Sequence, residues 1–148
     1  MNMLVAFLHH LAAFTIVSTL LAELVLMYQP FSLASAKSLR AIDAVYGLCA
    51  MLIIVLGILR VMYFEKGPEY YLHNPTFMLK MTAFAVVGLL SAYPTIIFLR
   101  WGKSLKQNQL PELTPRQAQN IKSILKLELA GVAVILLGAV LMAKGYRF

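Results

Sequence analysis

The chain has 148 residues, of which 61% are apolar and 13% charged, and carries a formal net charge of +7. That length makes one domain, 1–148, and a soluble domain of this size has no interior large enough for so much apolar surface. The basic balance suggests nucleic acid at first sight, but the positive residues gather in the loops on one side of a set of apolar segments, which argues for a membrane and against that partner.

The first apolar segment, Asn2 to Tyr28, exceeds the roughly 20 residues that cross a hydrocarbon core of about 30 Å. It has no basic n-region and is longer than the ~7–15 residues of a secretory h-region, and Glu23 and Pro30 supply no small-residue cleavage site. We read it as a retained helix. A second span follows from Asp43 to Phe64, with Cys49 mid-way as a small buried residue; a lone cysteine allows no intramolecular disulfide. The third span, Thr76 to Leu99, contains Pro94, which is expected to kink it near one end.

The fourth apolar stretch, Leu127 to Lys144, belongs to a longer helix. Thr114, Pro115 and Gln117 supply an N-cap, an N1 proline and the N3 glutamine of a capping box. From Pro115 to Tyr146 this helix is ~48 Å long at about 1.5 Å per residue, so its first turns lie beyond the hydrocarbon. The expectation is an all-α integral membrane four-helix bundle with helices over about 2–28, 43–64, 76–99 and 115–146.

Charge sets the expected orientation. Lys37 and Arg40 in the first connection, with Arg100, Lys103, Lys106, Arg116, Lys122 and Lys126 around the third, make eight of the thirteen Lys and Arg residues. By the positive-inside rule that face is cytoplasmic, which puts both termini and the loop from Glu65 to Pro75 on the outer side. Trp101 and the tyrosines Tyr28, Tyr63, Tyr70, Tyr71, Tyr93 and Tyr146 fit interfacial aromatic belts.

Ionisable groups inside a span cost on the order of 2.5–3.5 kcal/mol each, so function is sought among them. They fall in two layers. The outer one holds His9, His10, Arg60 and Lys80, with Glu65, Lys66, Glu69 and His73 in the adjoining loop. The cytoplasmic one holds Glu23, Arg40, Asp43, Lys126 and Glu128. At about 100° per residue, each helix gathers its polar groups on one face. The stripes are His9, Ile16, Leu20 and Glu23; Asp43, Tyr46, Ala50, Ile53, Gly57 and Arg60; Lys80, Phe84, Val87, Ser91 and Thr95; and Glu128, Val132, Ile135, Ala139, Met142 and Tyr146. Small residues beside them, Ser18 and Ala22, Gly47 and Ala50, Gly88 and Ala92, Gly131 and Gly138, permit close helix approach, internally or in a homo-oligomer.

The cytoplasmic layer reads as a structural charge cluster, with Glu23 pairing Arg40 and Asp43 pairing Arg40 or Lys126. In the outer layer, adjacent histidines point about 100° apart, and the stripe selects His9 over His10 as the inward one. Two readings stay open. In one, haem b occupies an outer pocket: His9 is an axial ligand, Gly57 leaves room for the macrocycle, and Arg60 and Lys80 neutralise the propionates. The second ligand comes from Met78, Met81, Met142, His10 or His73. In the other, the chain is a cofactor-free transporter, partner subunit or scaffold, although the central residues Val17, Ile53, Val87 and Leu136 argue against an ion path. No nucleophile, catalytic carboxylate pair, glycine-rich phosphate loop or zinc-spaced cluster supports hydrolytic or nucleotide chemistry. An enzymatic role would be that of a haem-dependent oxidoreductase.

The runs "LHHLAAFTIVSTLLAELVL", "RAIDAVYGLCAMLIIVLGILRVMYFEKGPEYYLHNPTFMLKM" and "GLLSAYPTIIFLRW" together resemble an uncharacterised family of bacterial four-helix predicted membrane proteins, over nearly the whole chain. That resemblance implies the inner membrane and brings no activity. More distantly, the layout resembles HemJ-type protoporphyrinogen oxidases and CopD-like membrane proteins, small bundles with a histidine early in helix one. It implies a haem-binding redox protein with His9 as ligand, Lys80 as the matching basic residue and a membrane redox partner. Met78 stands where the HemJ type has a second histidine, and the HemJ tryptophan and glycine after the first histidine are absent.

Overall fold

The computed structural model describes residues 2–64 and 68–144. Helix α1 spans Asn2–Tyr28, the expected span, and contains neither Gly nor Pro. Its hydroxyls return to the helix's own carbonyls, Thr15 to Leu11 and Ser18 to Phe14 at 2.9 Å each, so they need no water inside the bilayer. The Gln29–Pro30 pair then ends it, because a residue before proline is pushed out of the helical region.

Helix α2 spans Leu33–Leu59 and therefore starts well before Asp43, where the apolar run begins. The cause is local: Ser32 caps it by accepting from the Ser35 amide, and Ser35 Oγ takes the return bond from Ser32 N at 2.8 Å. A capping box closed by serine instead of Glu or Gln is easily missed in a sequence. Lys37 and Arg40 are accordingly helical residues. The helix continues into a π-helical turn, Arg60–Phe64. A short helix α3, Pro68–Leu72, precedes α4, Pro75–Arg100, whose N-cap Asn74 accepts from the Thr76 and Phe77 amides. Helix α4 passes through Pro94, and α5, Gly102–Lys106, extends it. Helix α6, Pro115–Ala143, opens on the expected capping box of Thr114 and Gln117. The expected positions Glu65, Lys66 and Tyr146 lie outside the described residues.

Consecutive long helices run antiparallel. The α1–α2 and α4–α6 pairs pack most extensively and α1 joins them through α6, whereas α2 and α4 meet over little of their length. The inward stripes are the expected ones: Ala12, Ile16, Leu20 and Glu23 on α1, Asp43 and Tyr46 on α2, Val87 on α4, and Glu128 and Val132 on α6 are buried. The exterior is strongly apolar, with Phe14 72% and Leu89 78% exposed, a surface that only lipid can solvate. Trp101 departs from the interfacial expectation. It is buried against the rings of Phe31 and Phe98.

Close approach of α4 and α6 depends on Gly131, where an added Cβ would overlap the side chain of Val87. Buried valine in a helix has one strongly preferred rotamer and cannot swing away. Gly131→Ala is therefore expected to destabilise the protein by about 1–3 kcal/mol, and Val87→Ala in the same chain to restore it. Gly88→Ala, where a Cβ meets nothing within 4 Å, should be neutral. Thermal unfolding of the three variants in detergent reads this directly.

Candidate functional site

The polar side chains of the spans gather at two depths. At one, His9 of α1 is half-buried, and its Cε1 lies 3.8 Å from where a Cβ would stand on Gly57 of α2. Its electrostatic neighbours are Lys80 of α4, Arg60 at the start of the π-helical turn, and His10. Lys80 in turn packs its Cβ 3.8 Å from the missing Cβ of Gly138 on α6. All four long helices thus contribute, and two of them do so through a glycine. The His9 Nδ1 atom is buried with no hydrogen-bond partner.

The other residues expected here fall differently. His10 is exposed, its Nδ1 2.6 Å from the Ala6 carbonyl, so it bonds its own helix and not a neighbour. His73 is exposed, with Nδ1 2.9 Å from the Glu69 carbonyl. Met78 and Met81 point outward, while Met142 is half-buried one turn beyond Gly138 on the same α6 stripe. The space over Gly57 is taken by the His9 ring itself.

At the second depth, Glu23 of α1 and Glu128 of α6 are each 1% exposed and Asp43 of α2 is 6% exposed. Asp43 accepts a 2.8 Å bond from Thr95 Oγ1 of α4. Tyr46 of α2 is buried against Glu128 and Ser91. Glu23 and Glu128 each keep one buried oxygen without a hydrogen-bond partner.

The expected ion pairs of this layer do not form among the described residues. Arg40 turns away from the acids and lies over Gly102 of α5, its Nη2 2.8 Å from where a Cβ would stand. Lys126 is on the outer side of α6, over the Tyr28 ring at 5.5 Å, with Lys122 at 4.8 Å. Sequence spacing alone favoured pairing at i,i+3. It could not register that a glycine on α5 opens a berth for the guanidinium. Tyr46, Ser91 and Thr95 lay on the predicted inward stripes, yet only the folded chain brings them to the acids.

Between the two depths Ile16 and Val87 are buried, with Val132 and Ile135 on α6, and the buried Thr19 donates its hydroxyl to the Ile16 carbonyl of its own helix at 2.9 Å. Beside the acidic layer, a groove of about 550 Å³ between α2, α4 and α5 carries Asp43 and Thr95 in its wall and Lys37, Arg40 and Lys106 around it.

Four helices long and apolar enough to cross a bilayer, with one half-buried and one buried polar layer between them, define a polytopic membrane protein. The chain belongs to the family described as Predicted membrane protein (DUF2214), whose family model matches residues 1–147. No curated protein and no solved structure matches it.

Proposed function

We propose that this chain is a membrane redox protein that holds haem b at the His9 layer. The observation that supports the reading is His9 itself, whose Nδ1 is buried without a hydrogen-bond partner and which has Arg60 and Lys80 from two other helices as its neighbours. A histidine buried only for packing normally satisfies its ring nitrogens; a bare one beside two cations suits an anionic group with a metal centre. His9 would supply a ligating nitrogen and Arg60 and Lys80 would meet the propionates, while Gly57 and Gly138 place no side chain against His9 and Lys80. Met142, half-buried on the Gly138 stripe, is the second ligand we favour over the exposed Met78, Met81, His10 and His73. Bound haem would supply one-electron exchange at its iron. The same reading places the chain in a bacterial inner membrane with its basic end in the cytoplasm, exchanging electrons with a membrane redox partner.

The test is an absorption spectrum of the detergent-purified protein, oxidised and then dithionite-reduced, from cells supplied with a haem precursor. We expect a Soret band with sharpened bands on reduction, at near-stoichiometric haem. A colourless protein overturns the proposal and returns the bundle to the cofactor-free class of transporters, partner subunits and scaffolds.

A further inference from the structure

The buried acids of the second layer have no part in the redox reading. Around them stand Tyr46 from α2, Ser91 and Thr95 from α4, and no cation among the described residues, because Arg40 is turned to Gly102 and Lys126 to Tyr28. An ionised carboxylate out of water costs several kcal/mol unless a counter-charge or a set of donors meets it. Asp43 has one donor, Thr95, and Glu23 and Glu128 each keep a buried oxygen with none. Such an arrangement is poor as a structural device, and intramembrane acids held this way are characteristic of proton paths. A metal ion is a weaker fit, since the described residues contain no group of three His, Cys, Asp or Glu placed to ligate one.

An independent feature supplies access. Asp43 belongs both to the acidic layer and to the wall of the groove of about 550 Å³ between α2 and α4, on the side of the bundle that carries Lys37, Arg40 and Lys106. In the opposite direction, Ile16, Val87 and Val132 separate the acids from the His9 layer. Of the three acids Asp43 alone reaches the groove, whose wall also contains the outward-facing Leu48 and Leu99, while Glu23 and Glu128 lie behind it.

We propose that Glu23, Asp43 and Glu128 form a proton-carrying site, loaded from the basic end of the bundle through the α2–α4 groove. Hydronium in the groove gives a proton to the Asp43 carboxylate, forming one O–H bond and releasing water. Loading thus adds one proton to the layer, and onward movement to an ionised Glu23 or Glu128 breaks the Asp43 O–H bond, forms another and leaves the layer's total unchanged. The inference does not rest on haem, and its test needs none.

That test is infrared spectroscopy of the purified protein in lipid at neutral pH, following the carboxylic-acid C=O stretch and its shift in D₂O. Wild type is expected to show an acid band that shifts on exchange, and Glu23→Gln and Glu128→Gln, which keep shape and burial, are each expected to weaken it. Gly47→Phe, in the groove wall at a position where a Cβ meets nothing within 4 Å, should leave the band and slow its shift by on the order of tenfold or more. Absence of the band, a band indifferent to both glutamine variants, or a wild-type band that never exchanges overturns the site. Equally fast exchange in Gly47→Phe overturns the groove as its route. Haem-loaded and colourless preparations serve equally, so the two proposals fail separately.

Discussion

His9→Ala is expected to purify without haem, losing the Soret band entirely, while His10→Ala and Glu23→Gln keep it. The difference follows from placement. His9 is half-buried on the inward stripe of α1 with a bare Nδ1, whereas the exposed His10 is tied to the Ala6 carbonyl, and Glu23 lies in the other polar layer. If His9 holds the haem as proposed, its loss would remove the bond that retains the iron, and the other described imidazoles, His10 and His73, are exposed. On the same proposal, Lys80→Met and Arg60→Gln are expected to weaken retention by about 10–100-fold without abolishing it, since they would remove partners of the haem and not its ligand. Titration of haem into each purified apoprotein, with circular dichroism as the check on folding, gives the numbers. A Soret band that survives in His9→Ala and vanishes in His10→Ala would show the ligand assignment to be wrong.

Glu23→Leu is expected to raise thermal stability. The carboxyl is almost wholly buried, one oxygen has no partner, and its titratable neighbours Asp43 and Glu128 are acids too. Replacing uncompensated buried polar groups by an apolar side chain of similar volume is often worth about 1–4 kcal/mol. Glu128→Leu should gain less, because it leaves the buried Tyr46 without its carboxyl neighbour. Unfolding midpoints in detergent decide the matter, and a clear drop for Glu23→Leu would mean that the acid is anchored structurally. A gain in stability together with a weakened exchangeable infrared band is the pattern of a group kept for function at the expense of stability.

How far the fold could be read from the sequence depended on how local each signal was. The Thr114 and Gln117 capping box lies within one turn, and it placed the start of α6 correctly. The Ser32 and Ser35 box is equally local but closed by a short hydroxyl, and the start of α2 was misplaced with it. The inward stripes emerged because a span in lipid must turn its few polar groups to one side, and the same requirement brought His9, Arg60 and Lys80 to one depth. Partner choice did not emerge. Arg40 and Asp43 are three residues apart on one helix, close enough to suggest a pair, yet Arg40 is drawn to Gly102 on a helix some sixty residues further along the chain.

The sequence by itself determined that this is a membrane-spanning helical bundle, how many spans it has and which face of each turns inward, because apolar length and helical period are properties of single segments. Tertiary structure alone decided that the three acids share one interior without a cation, that Trp101 is buried, and that a groove lined by α2, α4 and α5 reaches Asp43. Those outcomes depend on distances between segments, which are set by where a glycine such as Gly131 or Gly102 admits a neighbour's side chain, and no periodicity within a single helix encodes them.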